Sequence, residues 1–148
     1  MNIKHITSTI TKTEQSLSVL PLRIIAGLLF TAHGAQKLFA WFGGYGLEGT
    51  GQWMESIGLA PGYLMALMAG SAEFFGGLLL IIGLLTRPTS FVLAITMIVA
   101  IFTVHIDNGL FMTSNGYEFA LALLAISTSL IFSGAGKLSL DNAVAQRL

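Results

Sequence analysis

The chain contains no cysteine, so it makes no disulfide, no thiolate metal site and no dithiol relay of its own. Charge is nearly as scarce. Asp, Glu, Lys and Arg make up 9% of the 148 residues, against about 25% in soluble domains, and water would not support so apolar a chain. The net charge is zero, with no basic patch to hold nucleic acid. Proline occurs three times, at positions 21, 61 and 88. Each stands at the start of an apolar run, where a helix tolerates its missing N–H.

What is present is hydrophobic. Apolar residues make up 54% of the chain, and its mean hydropathy is +0.80. Four apolar runs stand out, at about 18–39, 61–85, 88–106 and 117–133, and each approaches the roughly 20 residues a helix needs to cross the hydrocarbon core. The fourth is the shortest. The expected architecture is all-α: a four-helix transmembrane bundle over residues 17–140, preceded by a segment 1–16 and followed by a tail 141–148, both cytoplasmic. The first run is longer than a signal-peptide core, carries Arg23, His33 and Lys37, and lacks a small-residue cleavage pattern, so it reads as a retained helix.

Four spans put both termini on one side of the membrane. That side collects Lys4, Lys12, Arg87, Lys137 and Arg147, with Arg23 near enough to snorkel toward it. The other side has Lys37 among basic residues and holds Glu48, Glu55, Asp107 and Glu118. The positive-inside rule then makes the termini cytoplasmic. Trp41, Tyr45, Trp53, Tyr63 and Tyr117 all fall at the opposite interface as a one-sided aromatic belt. In the loop from Ala40 to Ala60, Thr50 is expected to cap a short helix through Ile57.

Within the spans the polar residues are few and informative. Glu73 lies mid-run, about 16 Å from the loop-side interface at 1.5 Å per helical residue. A carboxyl cannot snorkel from there, so it is a functional-site candidate by default. Burial favours its neutral form, and a neighbouring cation favours the carboxylate. His33 lies about 9 Å down and His105 about 4 to 5 Å down on the same scale. Arg23–Glu73 and His33–Glu73 are the competing pairings. Lys37, Asp107 and Glu118 stand near the rim, where a solvated or snorkelling side chain explains each. Small residues form stripes with these groups: Arg23, Gly27, Phe30, Gly34 and Lys37 on the first helix, Ala69, Glu73 and Gly77 on the second, and Glu118, Ala122, Ala125 and Ser129 on the fourth. Such stripes should face protein, because small residues let helices approach closely. Haem ligation by His33 and His105 is disfavoured by their different depths. A metal site from His33, Glu73 and His105 lacks any supporting ligand spacing.

From Leu22 to Asp141 the chain resembles the DoxX family of small four-helix membrane proteins. The resemblance is carried by Leu22-Arg23 with His33-Gly34-Ala35-Gln36-Lys37, then Gly49-Thr50 with Met54-Glu55-Ser56-Ile57-Gly58. It continues through Glu73-Phe74-Phe75-Gly76-Gly77 and Gly83-Leu84-Leu85-Thr86-Arg87-Pro88. Asn115-Gly116-Tyr117-Glu118 and Gly134-Ala135-Gly136-Lys137-Leu138-Ser139-Leu140-Asp141 complete it. The resemblance implies the inner membrane and a link to redox chemistry. The family takes its name from a small subunit of an archaeal quinone-reducing sulfur-oxidation system, and many members carry oxidoreductase names.

Three readings follow. In the first, the chain is the membrane subunit of a quinone-linked redox or detoxification complex, with Glu73 and His33 relaying protons and Arg23, Lys37, His105 and Glu118 binding. Without cysteine or a nucleotide motif, its electrons come through a bound quinone or a redox partner subunit. In the second it is a proton-coupled transporter or binder of an apolar or weakly acidic compound, which implies a homodimer in the bilayer. In the third it is a scaffold, with Glu73 tying helices together.

Overall fold

The computed structural model describes Thr13 and residues 16–147; Lys4 and Lys12 lie outside the described residues. The described chain is all-α. Helix α1 (Val19–Phe39) is followed by a short helix α2 (Gly46–Ser56), then α3 (Gly62–Ile82) and α4 (Thr86–Ala100). Helix α4 runs on through a π-turn (Ile101–His105) and a 3-10 turn (Ile106–Asn108). Helix α5 (Glu118–Ser133) and a six-residue helix α6 (Leu140–Ala145) complete the chain. Three helices are long and apolar enough to cross a bilayer: 21 residues each for α1 and α3, and 23 for α4 with its extension. At 16 residues α5 is shorter, spanning about 24 Å of the roughly 30 Å hydrocarbon thickness.

Helices α1 and α3 touch backbone to backbone. A Cβ on Gly34 would lie 2.3 Å from the Phe74 amide nitrogen, and one on Gly77 would lie 2.6 Å from the Gly27 carbonyl oxygen. Without a hydrophobic drive between helices in lipid, such close packing holds them together. The stripe Arg23, Gly27, Phe30 and Gly34 is buried as its spacing predicts. The small-residue stripe of the last long helix behaves otherwise. Ala122, Ala125 and Ser129 are exposed, and α5 buries Ala120, Leu123, Ser127 and Leu130 instead. The buried face alternates small Ala120 and Ser127 with Leu123 and Leu130, and its two leucines pack in the core with Phe30, Leu93 and Met97.

The loop-side helix α2 begins at Gly46, four residues before the expected cap, so Thr50 is a buried interior residue. Gly51 makes the close approach to α3 possible: a Cβ there would stand 2.9 Å from the Tyr63 Cα. The Glu55 carboxylate accepts the Gly62 N–H, which α3 leaves without a partner at its first turn.

At the opposite end the two terminal segments meet. Arg23 is 2% exposed and neither snorkels nor reaches Glu73. Its guanidinium donates to the carbonyls of Ala135 and Leu138, the latter at 2.7 Å. Arg87 donates to the Ile131 and Phe132 carbonyls at 2.8 Å each, satisfying the last turn of α5. Asp141, at the head of the expected tail, is 1% exposed. Its two oxygens accept the N–H groups of Leu85 (2.8 Å) and Thr86 (2.9 Å), capping α4 from 55 residues away. The turn it holds is tight. Gly83 is left-handed at φ 67, the Leu84 N–H bonds the Leu79 carbonyl, and Leu85 follows at φ 52.

Three substitutions test this packing. Gly34→Val must push α1 off the Phe74 backbone, and it should lower unfolding stability in detergent by about 1–3 kcal/mol or abolish folding. Asp141→Ala leaves two buried N–H groups without an acceptor and should cost about 2–5 kcal/mol in the same titration, followed by the fluorescence of Trp41 and Trp53. Asp141→Asn, which keeps one acceptor, should lose less.

Candidate functional site

The bundle encloses a cavity of about 910 Å³ toward the loop end. Its walls are largely apolar, with Phe30 from α1, Met97 and Ala100 from α4, and Phe119 and Leu123 from α5. Helix α2 roofs it with Thr50, Trp53 and Met54. Against this background the polar groups are concentrated: His33, Gln36 and Lys37 on one face of α1, Glu73 on α3, and His105 from the π-turn of α4.

The centre of the cluster is an ion pair. Lys37 Nζ lies 2.5 Å from Glu73 Oε2, with the lysine side chain 24% exposed and the glutamate 4% exposed. The partner of Glu73 is therefore Lys37, and neither of the two expected pairings forms. The reason lies in the α1–α3 contact. Gly34 seats on the Phe74 backbone, and the residue one helical turn beyond Gly34 is brought to the residue before Phe74. Lys37 bends inward because a mid-bilayer carboxylate offers it a closer charge than the interface does. Its position in the last turn of α1 also suits a cation, since the helix carbonyls there carry partial negative charge.

His33 stands one turn deeper on the same face. Its ring packs against Phe119 with centroids 5.6 Å apart. It also lies within electrostatic reach of both Lys37 and Glu73. His105 Nδ1 is 2.8 Å from the Asn115 carbonyl oxygen, which fixes the ring at the cavity edge. The structure thus brings together His33, Lys37, Glu73 and His105. It does not bring Arg23 or Glu118 to the cavity. Arg23 belongs to the terminal end, and the Glu118 carboxylate accepts the Met112 N–H at 2.6 Å, closing the turn before α5. Asp107 is exposed in the 3-10 turn that ends the extension of α4. Among the described residues no cluster of three or more His, Asp or Glu side chains is arranged to hold a metal ion.

A profile described as DoxX matches residues 18–106 of the chain. The chain belongs to the DoxX family. Curated relatives support the assignment over most of its length. An uncharacterised protein of Haemophilus influenzae is 38% identical over 128 residues, covering 82% of this chain and 86% of the relative. "Putative oxidoreductase CatD" of Bacillus subtilis is 37% identical over 125 residues, 84% of this chain and 85% of that one. "Inner membrane protein YqjF" of Escherichia coli is 31% identical over 136 residues, 88% of this chain and 94% of that one. No solved structure matches. This DoxX protein is a multi-pass protein of the inner membrane, with three helices long enough to span it and a shorter fourth.

Among the lining residues that sequence reasoning missed are Thr96 of α4 and Thr103 and Val104 of its π-turn. The signal for the threonines was a polar position repeated seven residues apart in an otherwise apolar run. The ion pair itself is open to a double-mutant cycle. Lys37→Met or Glu73→Leu alone leaves one buried charge without its partner and should cost about 3–5 kcal/mol, whereas the double variant should recover most of that loss. Detergent unfolding followed by tryptophan fluorescence gives the three values.

Proposed function

We propose that this DoxX protein is the membrane subunit of a quinone-linked redox or detoxification complex, and that the cavity is its quinone site. The carrying observation is the Lys37–Glu73 pair set in a cavity with mainly apolar walls, with His33 on the same helix face as Lys37. A volume of about 910 Å³ is within the range of sites that enclose cofactor-sized ligands. Apolar and aromatic walls suit a ring with an isoprenoid tail, and the convergent polar groups suit its carbonyl oxygens. The CatD relative, named for oxidoreductase activity, supports the redox assignment.

A quinone bound here would supply two-electron, two-proton chemistry, with a redox partner subunit as its source of electrons. The chain's own residues do the rest. Lys37 would hold one quinone carbonyl by a hydrogen bond, as a fixed cation suited to the charge that reduction brings. Glu73 accepts a proton from water at the loop end and passes it on. His33 is the second proton carrier, since a neutral imidazole can both donate and accept. His105 sits at the edge as a ligand contact. The basic residues Arg87, Lys137 and Arg147 favour a cytoplasmic terminal end by the positive-inside rule, and on that reading the cavity serves the opposite face.

A second reading, a proton-coupled binder or transporter of a weakly acidic apolar compound working as a homodimer, draws on the partial exposure of Lys37 to the cavity. There an anionic ligand replaces Glu73 as the partner of Lys37, and Glu73 takes a proton.

Lipid extraction and native mass spectrometry on gently purified protein separate these readings. The expected result is about one quinone per chain. His33→Ala, which removes one hydrogen bond, should weaken quinone binding about tenfold. Glu73→Gln should keep the fold and the quinone but lose turnover with the partner. A folded protein that binds no added quinone, and instead retains an aromatic acid in a Lys37-dependent way, would favour the second reading. One that retains neither would leave a scaffold role.

A further inference from the structure

The route into the cavity is written in the way α3 and α4 diverge. Near the terminal end they are in contact: a Cβ on Gly76 would lie 3.3 Å from Leu93 Cδ2, and Leu93 is fully buried. One to two turns toward the loop end the contact gives way to the cavity, lined by Ala69 and Glu73 of α3 and by Thr96, Val99 and Thr103 of α4. These three α4 residues continue one flank of that helix, at spacings of 3 and 4 residues. The same flank begins with Thr89 and Val92, which meet α3 across a small hollow beside Ala72 and Phe75. Val99 is 43% exposed and Thr103 is exposed as well, so residues on the membrane-facing side of α4 also border the cavity.

Two further features make this gap passable to an apolar molecule. Every hydroxyl on its α4 rim is satisfied within the helix: Thr96 Oγ1 donates to the Val92 carbonyl at 3.0 Å and Thr103 Oγ1 to the Val99 carbonyl at 2.7 Å. The rim therefore presents methyl groups and no unmet donor, as contact with lipid requires. The roof, by contrast, is fixed. Helix α2 seats Gly51 on the Tyr63 backbone and bonds the start of α3 through Glu55.

We infer that the ligand enters sideways from the bilayer, through the seam between α3 and the loop-end half of α4, beneath α2. The ligand class is an uncharged, ring-bearing lipophile already dissolved in the membrane. The inference rests on the reading of the cavity as a ligand site, but the route is testable without any quinone. The far wall of the cavity carries Ala120, 5% exposed. In a chain with no native cysteine, Ala120→Cys gives one thiol, reachable only through the cavity.

The experiment uses the full chain in liposomes and two probes, a bilayer-soluble pyrene maleimide and a water-soluble trimethylammonium methanethiosulfonate. The maleimide should label Ala120→Cys, and adding Val99→Trp at the seam should slow it at least tenfold. Gln52→Trp, on the roof edge facing water, should leave the rate unchanged. The charged probe should label slowly, with no response to Val99→Trp. Labelling by the charged probe that responds to Gln52→Trp, maleimide labelling indifferent to Val99→Trp, or no labelling by either probe would each overturn the inference. Leu123→Cys, also buried on that wall, serves if Ala120→Cys does not fold. Because neither probe is a quinone, a seam that opens in a protein that binds no quinone shows the route intact and the redox reading lost; the converse result is equally legible.

Discussion

The contact between α1 and α3 is the constraint on which the remaining structure depends. Gly27, Gly34 and Gly77 let two backbones approach to a distance at which any side chain would collide. Lipid gives helices no hydrophobic reason to associate, so their affinity comes from this intimate packing and from polar contacts. The same approach fixes the depth at which Lys37 meets Glu73. Loss of that pair would leave a buried carboxylate without its cation, at a cost of about 3–5 kcal/mol. Packing and electrostatics are therefore one device here.

The two ends of the bundle solve the problem of unpaired helix termini in different ways. At the terminal end, long-range side chains do the work: Asp141 caps α4, Arg87 meets the carbonyls at the end of α5, and Arg23 holds the connector that follows it. Lys137 N–H bonds the Ser16 carbonyl, so the two terminal segments are tied together. At the loop end, local turns and the short helix α2 suffice, with Glu55 and Glu118 each closing a turn through a backbone N–H. The terminal end is tied by side chains from distant parts of the chain. The loop end is roofed but otherwise open, and the cavity lies there.

That division assigns the charged residues to separate tasks. Arg23 and Asp141 are structural despite deep burial, while His33, Lys37, Glu73 and His105 line one cavity of about 910 Å³. The π-turn at Ile101–His105 belongs to the second group. An extra residue per turn redirects the helix face at that point, and His105 is thereby placed against the Asn115 carbonyl at the cavity edge.

The amino-acid sequence by itself determined the membrane environment, three long apolar helices and a shorter fourth, the short turn at Leu85, and the burial of the glycine stripe on α1. These follow from hydropathy, run length and helical period, all local properties. It also singled out Glu73 as a group that must be neutralised. Which cation does so was decided only in the tertiary structure, because Arg23, His33 and Lys37 all lie along one side of α1 and only the registry of α1 on α3 selects Lys37. The outward turn of Ala122, Ala125 and Ser129 has the same origin: small residues lie on more than one face of α5, and the shape of the neighbouring helices selects the face with Ala120, Leu123, Ser127 and Leu130 for burial. Asp141 was out of reach for a related reason. Its partners are 55 residues away, and no local pattern announces a cap that the chain completes only after it has folded.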